Sequence, residues 1–87
     1  MTIHKYILHI TDRPLVAMPQ GAKPLYVAEQ GGSLCLWALV DPAKAKVKRA
    51  FRVVGTGHDA PAKGYVGTAL MRGGSLVMHV FDEGELK

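Results

Sequence analysis

Residues 33–58 read SLCLWALVDPAKAKVKRAFRVVGTGH. Two β-rich runs flank a connection that carries lysines, and the second run ends in a glycine-broken loop. Ser33 to Val40 is apolar on both of its alternating faces. A strand of that kind is expected to lie centrally and to be covered on both sides. Asp41-Pro42 stops it. Ala43 to Lys46 has room for one helical turn and no more. Val47 to Val54 reads as the next strand, with Val47, Arg49, Phe51 and Val53 on one face and Lys48, Ala50, Arg52 and Val54 on the other. Arg49 thus shares the face of the bulky residues, which is unusual for an amphipathic strand. Gly55 to Lys63, GTGHDAPAK, is the longest loop.

Outward from this stretch the pattern repeats. Ile3 to Ile10, Leu15 to Met18, Leu25 to Gln30, Tyr65 to Met71 and Ser75 to Phe81 are short runs rich in β-branched, aromatic and other apolar residues. Turn signals separate them: Thr11-Asp12-Arg13-Pro14, Pro19-Gln20-Gly21, Gly31-Gly32 and Gly73-Gly74. The two Gly-Gly pairs suit tight hairpins, because both central residues of a type I′ turn need positive φ. Helical periodicity is almost absent. The expectation is an all-β fold: a small single-domain sandwich or barrel of about six to seven antiparallel strands. One domain spans residues 3–82, and residues 83–87 form a polar, acidic tail. The expected core is Ile7, Val27, Leu36, Ala38, Phe51, Val53, Leu70 and Val77.

Eighty-seven residues bury only roughly 60–65% of their unfolded surface, so the core is thin and a homo-oligomer is expected. Cys35 is the only cysteine, which excludes an intrachain disulfide and any cysteine-based metal cluster. The N-terminal residues lack the apolar region of a signal peptide, and no apolar run approaches membrane-spanning length. A cytoplasmic protein without a membrane partner is therefore expected. The net charge is +4, with Lys44, Lys46, Lys48, Arg49 and Arg52 inside nine residues and Asp82, Glu83 and Glu85 near the C-terminus. The simplest reading of the basic segment is a solvated edge strand, since lysines protect sheet edges against aggregation. The alternative is a nucleic-acid-binding module using Lys44–Arg52.

Gly55-Thr56-Gly57-His58 is the sharpest local feature. Its glycines can expose backbone N–H groups to an anion, beside a hydroxyl and an imidazole. No GK[ST] follows, so it is not a phosphate-binding P-loop; an ordinary β-turn is the plainer alternative. A small anion bound there is expected to meet Gly55, Thr56, Gly57 and His58, with Arg49, Arg52 and Tyr65. The plainer role for Arg49 is an ion pair with Glu29 or Asp41. His4, His9, His58 and His79 show no metal-ligand spacing, so neither a metal nor a cofactor is expected. No serine lies in a nucleophile elbow, which makes a small enzyme using His58 the least favoured class, with no catalytic residue assigned. Trp37, the only tryptophan, reads as core.

The strings MPQGAKPLYVAEQ, WALVDP, RAFRVVGTGH and GGSLVMHVF together resemble a family of small phage- and prophage-encoded proteins of unknown function. The resemblance runs over about residues 3 to 82. It matches at Met18-Pro19, Gly21-Ala22, Trp37 to Pro42, Phe51 to His58, Gly73-Gly74 and His79 to Phe81. It implies the cytoplasm of a bacterial host cell and carries no catalytic residue. Phage proteins of this size commonly act by occupying something. The expected function is thus a non-enzymatic binding protein that blocks or sequesters a host, defence-related protein or a small anionic ligand such as a nucleotide.

Overall fold

The computed structural model describes residues 1–86. Seven antiparallel strands form two sheets, as the all-β reading requires. The first sheet has the order β1 (Thr2–Leu8), β4 (Ser33–Val40), β3 (Lys23–Gln30). The second has the order β2 (Leu15–Pro19), β5 (Lys46–Gly55), β7 (Leu76–Glu85), β6 (Tyr65–Met71). The sheets stack around Met18, Val27, Leu36, Phe51 and Val80, among others. They approach most closely where β6 crosses β3: a Cβ added at Gly67 would lie 2.7 Å from Val27 Cγ2.

β4 is central in its sheet, and Leu34, Leu36, Ala38 and Val40 are at most 1% exposed. Its second face differs from expectation. Cys35 is buried, but Trp37 and Leu39 are only half-buried, because no layer packs on that side of the sheet. Trp37 is therefore not core. Three more residues expected in the core are displaced: Ile7 is 57% exposed, Leu70 is 64% exposed, and Val77 is half-buried. In each strand an apolar neighbour of opposite parity takes the inward place, namely Leu8, Met71 and Met78. Parity cannot be read from strands that are apolar on both faces. Val27, Leu36, Ala38, Phe51 and Val53 are buried as expected.

β5 lies between β2 and β7 and is not an edge strand. The chain before β2 extends its cover: the Phe51 N–H donates to the Pro14 carbonyl at 3.0 Å, and the Val53 N–H to that of Asp12 at 3.1 Å. The basic segment is thus the interior of a sheet, with Lys46 and Lys48 exposed along it.

Gly31 and Gly32 take φ of 60° and 84°, the left-handed pair that a type I′ hairpin needs. The second connection is longer than a two-residue turn. A 3₁₀ turn spans Arg72–Gly74, and Arg72 itself has φ 52°. The acidic end is no solvated tail. β7 runs on through Glu85, with Glu83 as a bulge opposite β5, and the Leu86 N–H donates to the Lys48 carbonyl at 2.8 Å. Its carboxylates are held by partners: Glu83 by Arg13 at 2.9 Å and Glu85 by the Gly21 N–H at 2.6 Å. Lys87 lies outside the described residues.

Candidate functional site

Gly55 ends β5 and opens a tight turn. The His58 N–H donates to the Gly55 carbonyl at 3.2 Å, and Gly57 has φ 93°. A third turn residue with positive φ is the position where glycine is favoured. The His58 amide is consumed by this bond, so the GTGH loop does not present a run of free amides. The imidazole lies against Gly55, where an added Cβ would come 3.3 Å from His58 Cδ2.

The seven residues proposed from sequence fall into three places. Arg49 is bound on every side. Its Nε donates to Asp82 Oδ1 at 2.9 Å, Nη2 to Asp82 Oδ2 at 2.7 Å and Nη1 to the Ala22 carbonyl at 2.8 Å. Glu85 Oε2 stands 3.6 Å from Nη1. The ion pair is thus made with Asp82 and Glu85, not with Glu29 or Asp41. A bidentate bond to a carboxylate leaves this guanidinium little to offer a ligand.

Thr56 and Tyr65 belong to a second group, on the outer face of the four-stranded sheet. Thr56 Oγ1 lies 2.8 Å from His79 Nε2, and Thr68 Oγ1 lies 2.9 Å from His79 Nδ1. The Tyr65 hydroxyl bonds Thr68, and its ring meets Phe81 edge-on. Both nitrogens of His79 are satisfied. This row ties the glycine loop to β6 and β7.

Arg52, Gly55 and His58 do come together, with Gly57 only in the turn that carries His58. They line a cleft of about 350 Å³ at the end of β5. Val53, Val54, Leu76 and Met78 give it apolar lining, and Asp12 and Asp59 also line it. Arg52 Nε is the one side-chain nitrogen or oxygen, among the described residues, that is buried without a hydrogen-bond partner. A donor left in this way carries a desolvation cost. The sequence reading missed Asp12 and Asp59. Asp59 adjoins His58, so adjacency was a signal for it; Asp12 reaches the cleft only because its strand extension pairs with β5.

Among the described residues, no group of three or more His, Cys, Asp or Glu is placed to hold a metal ion. No helix among them is long and apolar enough to cross a membrane.

Fold and site together define a small two-sheet all-β domain with a mixed-polarity surface cleft. The chain belongs to the family described as Domain of unknown function (DUF7352), which it matches over residues 1–87. No curated protein matches the chain, and no solved structure matches it.

Proposed function

We propose that this is a non-enzymatic binding protein that holds a small phosphate-bearing ligand, such as a nucleotide, in the cleft of Arg52 and His58. The observation that carries this reading is that Arg52 lines the cleft beside His58 and, among the described residues, makes no ion pair. A guanidinium suits phosphate by its planar fork of donors. Apolar side chains line the cleft beside the polar ones, and its volume falls in the range of small-molecule sites. Asp12 and Asp59 favour a ligand with hydroxyl or amino groups beside its phosphate over a bare inorganic anion. In the phage-infected cytoplasm that the sequence resemblance implies, holding such a ligand would withdraw it from host signalling or defence.

Calorimetric titration with AMP and with adenosine tests the reading. AMP is expected to bind more tightly than adenosine. Arg52→Gln is expected to weaken AMP on the order of 10–100-fold, the loss of one charge-assisted contact, with its melting temperature close to that of the parent. Equal binding of AMP to both proteins, or no binding to either, would remove the site.

The reading includes self-association. β1 is an edge strand, exposed at Thr2–Lys5 and Ile7. It contains no proline and a single lysine. An apolar edge with so little protection templates pairing with a second chain. Light scattering is expected to give a mass above the 9.4 kDa of one chain; a clean monomer at high concentration would remove this part.

A further inference from the structure

Among the described residues nothing packs on the outer face of the three-stranded sheet as a second layer, and the strand register sets its layout. Three rows cross it: Ile3, Leu39 and Lys23; Lys5, Trp37 and Tyr26; Ile7, Cys35 and Ala28. A β-bulge at Leu25 shifts the register between Pro24 and Tyr26 and returns Tyr26 to this face. Tyr26 is 62% exposed and Trp37 half-buried, their ring centroids 5.9 Å apart at 48°. Lys5 Nζ is held by Gln30 Oε1 at 2.8 Å. No carboxylate occupies any of the nine positions.

We propose that this face is a docking surface for single-stranded nucleic acid. Aromatic rings on a strand surface stack bases of any identity, and flanking cations track the backbone. Here the aromatic pair sits in the middle row. Lys5 flanks it from β1, and Lys23 lies one row away on β3. The chain carries a net +4, and Asp82, Glu83 and Glu85 lie on β7 in the other sheet. The three strands of this sheet carry Lys5 and Lys23 against the single carboxylate Glu29, a small positive excess that favours a polyanion at this face. A second copy of the chain fits less well. Strands of seven, eight and eight residues make a flat footprint of roughly 14 × 26 Å, a small face beside a standard interface, which buries roughly 800 Å² of accessible surface per partner. Face-to-face packing of two copies would also set cations with no carboxylate among them. Pairing through the β1 edge leaves this face open. The site is separate from the cleft and does not rest on it.

Trp37 is the only tryptophan, so its fluorescence reports directly on this face. Titration of the full chain with oligothymidylate at low salt is expected to quench it. Tyr26→Leu, which keeps an apolar side chain, is expected to weaken binding about tenfold or more through the lost stacking. Lys5→Glu with Lys23→Glu is expected to lower the slope of log affinity against log salt by about 1.4, at about 0.7 per phosphate contact on a single strand. Lys48→Glu, in the basic segment of β5, is expected to change little. Melting curves by circular dichroism confirm that each variant is folded. The proposal is overturned if oligothymidylate leaves Trp37 unquenched, or if Lys48→Glu weakens binding while the face variants do not. It is also overturned if Trp37 emission shifts with protein concentration alone and Tyr26→Leu abolishes that shift, which would assign the face to a second copy.

Discussion

Arg49→Ala is expected to lower the melting temperature by roughly 10–20 °C. The side chains of Arg49 and Asp82 are 13% and 19% exposed, so little solvent compensates a lost partner. Removing the guanidinium leaves the Asp82 carboxylate and the Ala22 carbonyl without their donor and brings Asp82 and Glu85 together without a counter-charge. Breaking a fully buried pair costs about 3–5 kcal/mol; this one, at the edge of the core, is set at about 2–3 kcal/mol. For a domain of this size each kcal/mol is worth about 4–8 °C. Arg49→Lys should fall between the two proteins, because it keeps the charge and loses the fork.

The same pair makes an acid-dependent contribution. Burial works against ionisation of Asp82, but the hydrogen bonds from Arg49 and the Gly84 amide outweigh it and hold the carboxyl below its ordinary value. A carboxyl with a lower folded than unfolded pKa stabilises the fold above the unfolded value of about 3.9, and that contribution is lost as pH falls through the folded value. Stability is therefore expected to fall below about pH 4, and to fall less steeply in Asp82→Asn. On the other side, the Asp82 bond raises the Arg49 pKa above its ordinary value, so the cation persists through the neutral range. A melting temperature for Arg49→Ala within a few degrees of the parent would show that the pair is not structural.

Gly64→Ala is expected to cost more than about 3 kcal/mol, above the ordinary range of single substitutions. Gly64 has φ 90°, and a Cβ there would overlap the Asp82 carbonyl oxygen, a backbone atom that cannot swing aside. The approach is close because the Asp82 N–H donates to the Gly64 carbonyl at 2.7 Å. Gly57 is the control. Its φ is 93°, but an added Cβ there meets nothing within 4 Å, so Gly57→Ala should cost only the left-handed strain of about 1–2 kcal/mol. Thermal melts of the two variants read the difference. If Gly64→Ala is no less stable than Gly57→Ala, the close backbone approach is not a constraint.

The strands and the turn at Gly31-Gly32 were legible because they are local. A run of β-forming residues bounded by Gly, Pro or Asp needs no distant partner to declare itself, and two adjacent glycines meet the left-handed demand of a type I′ turn within the pair. The Gly73-Gly74 connection was found but not its length, because Arg72 also enters the left-handed region. Facing was harder. In Tyr6-Ile7-Leu8 and Leu70-Met71 every residue can be buried, so only the packing of the second sheet selects Leu8 and Met71.

Pairing at long range decided the site. Arg49 had the residue type of an anion ligand, and its odd place among bulky side chains was visible. Its partner lies 33 positions away, and the acidic run reads as a tail because nothing local marks it as a strand. Once β7 brings Asp82 beside β5, the charges neutralise each other and the arginine becomes framework. Arg52, Gly55 and His58 stayed together because three and six positions along one strand and its turn fix their proximity. The aromatic face could not be read at all, since Lys5, Tyr26 and Trp37 are aligned only by the register of three strands. Sequence by itself thus determined the strands, the tight turn and the sequence-local part of the cleft, through steric and parity rules that act over a few residues. Tertiary structure decided which faces are covered, which charges cancel and which rings meet, because each depends on contacts whose partners the chain keeps far apart.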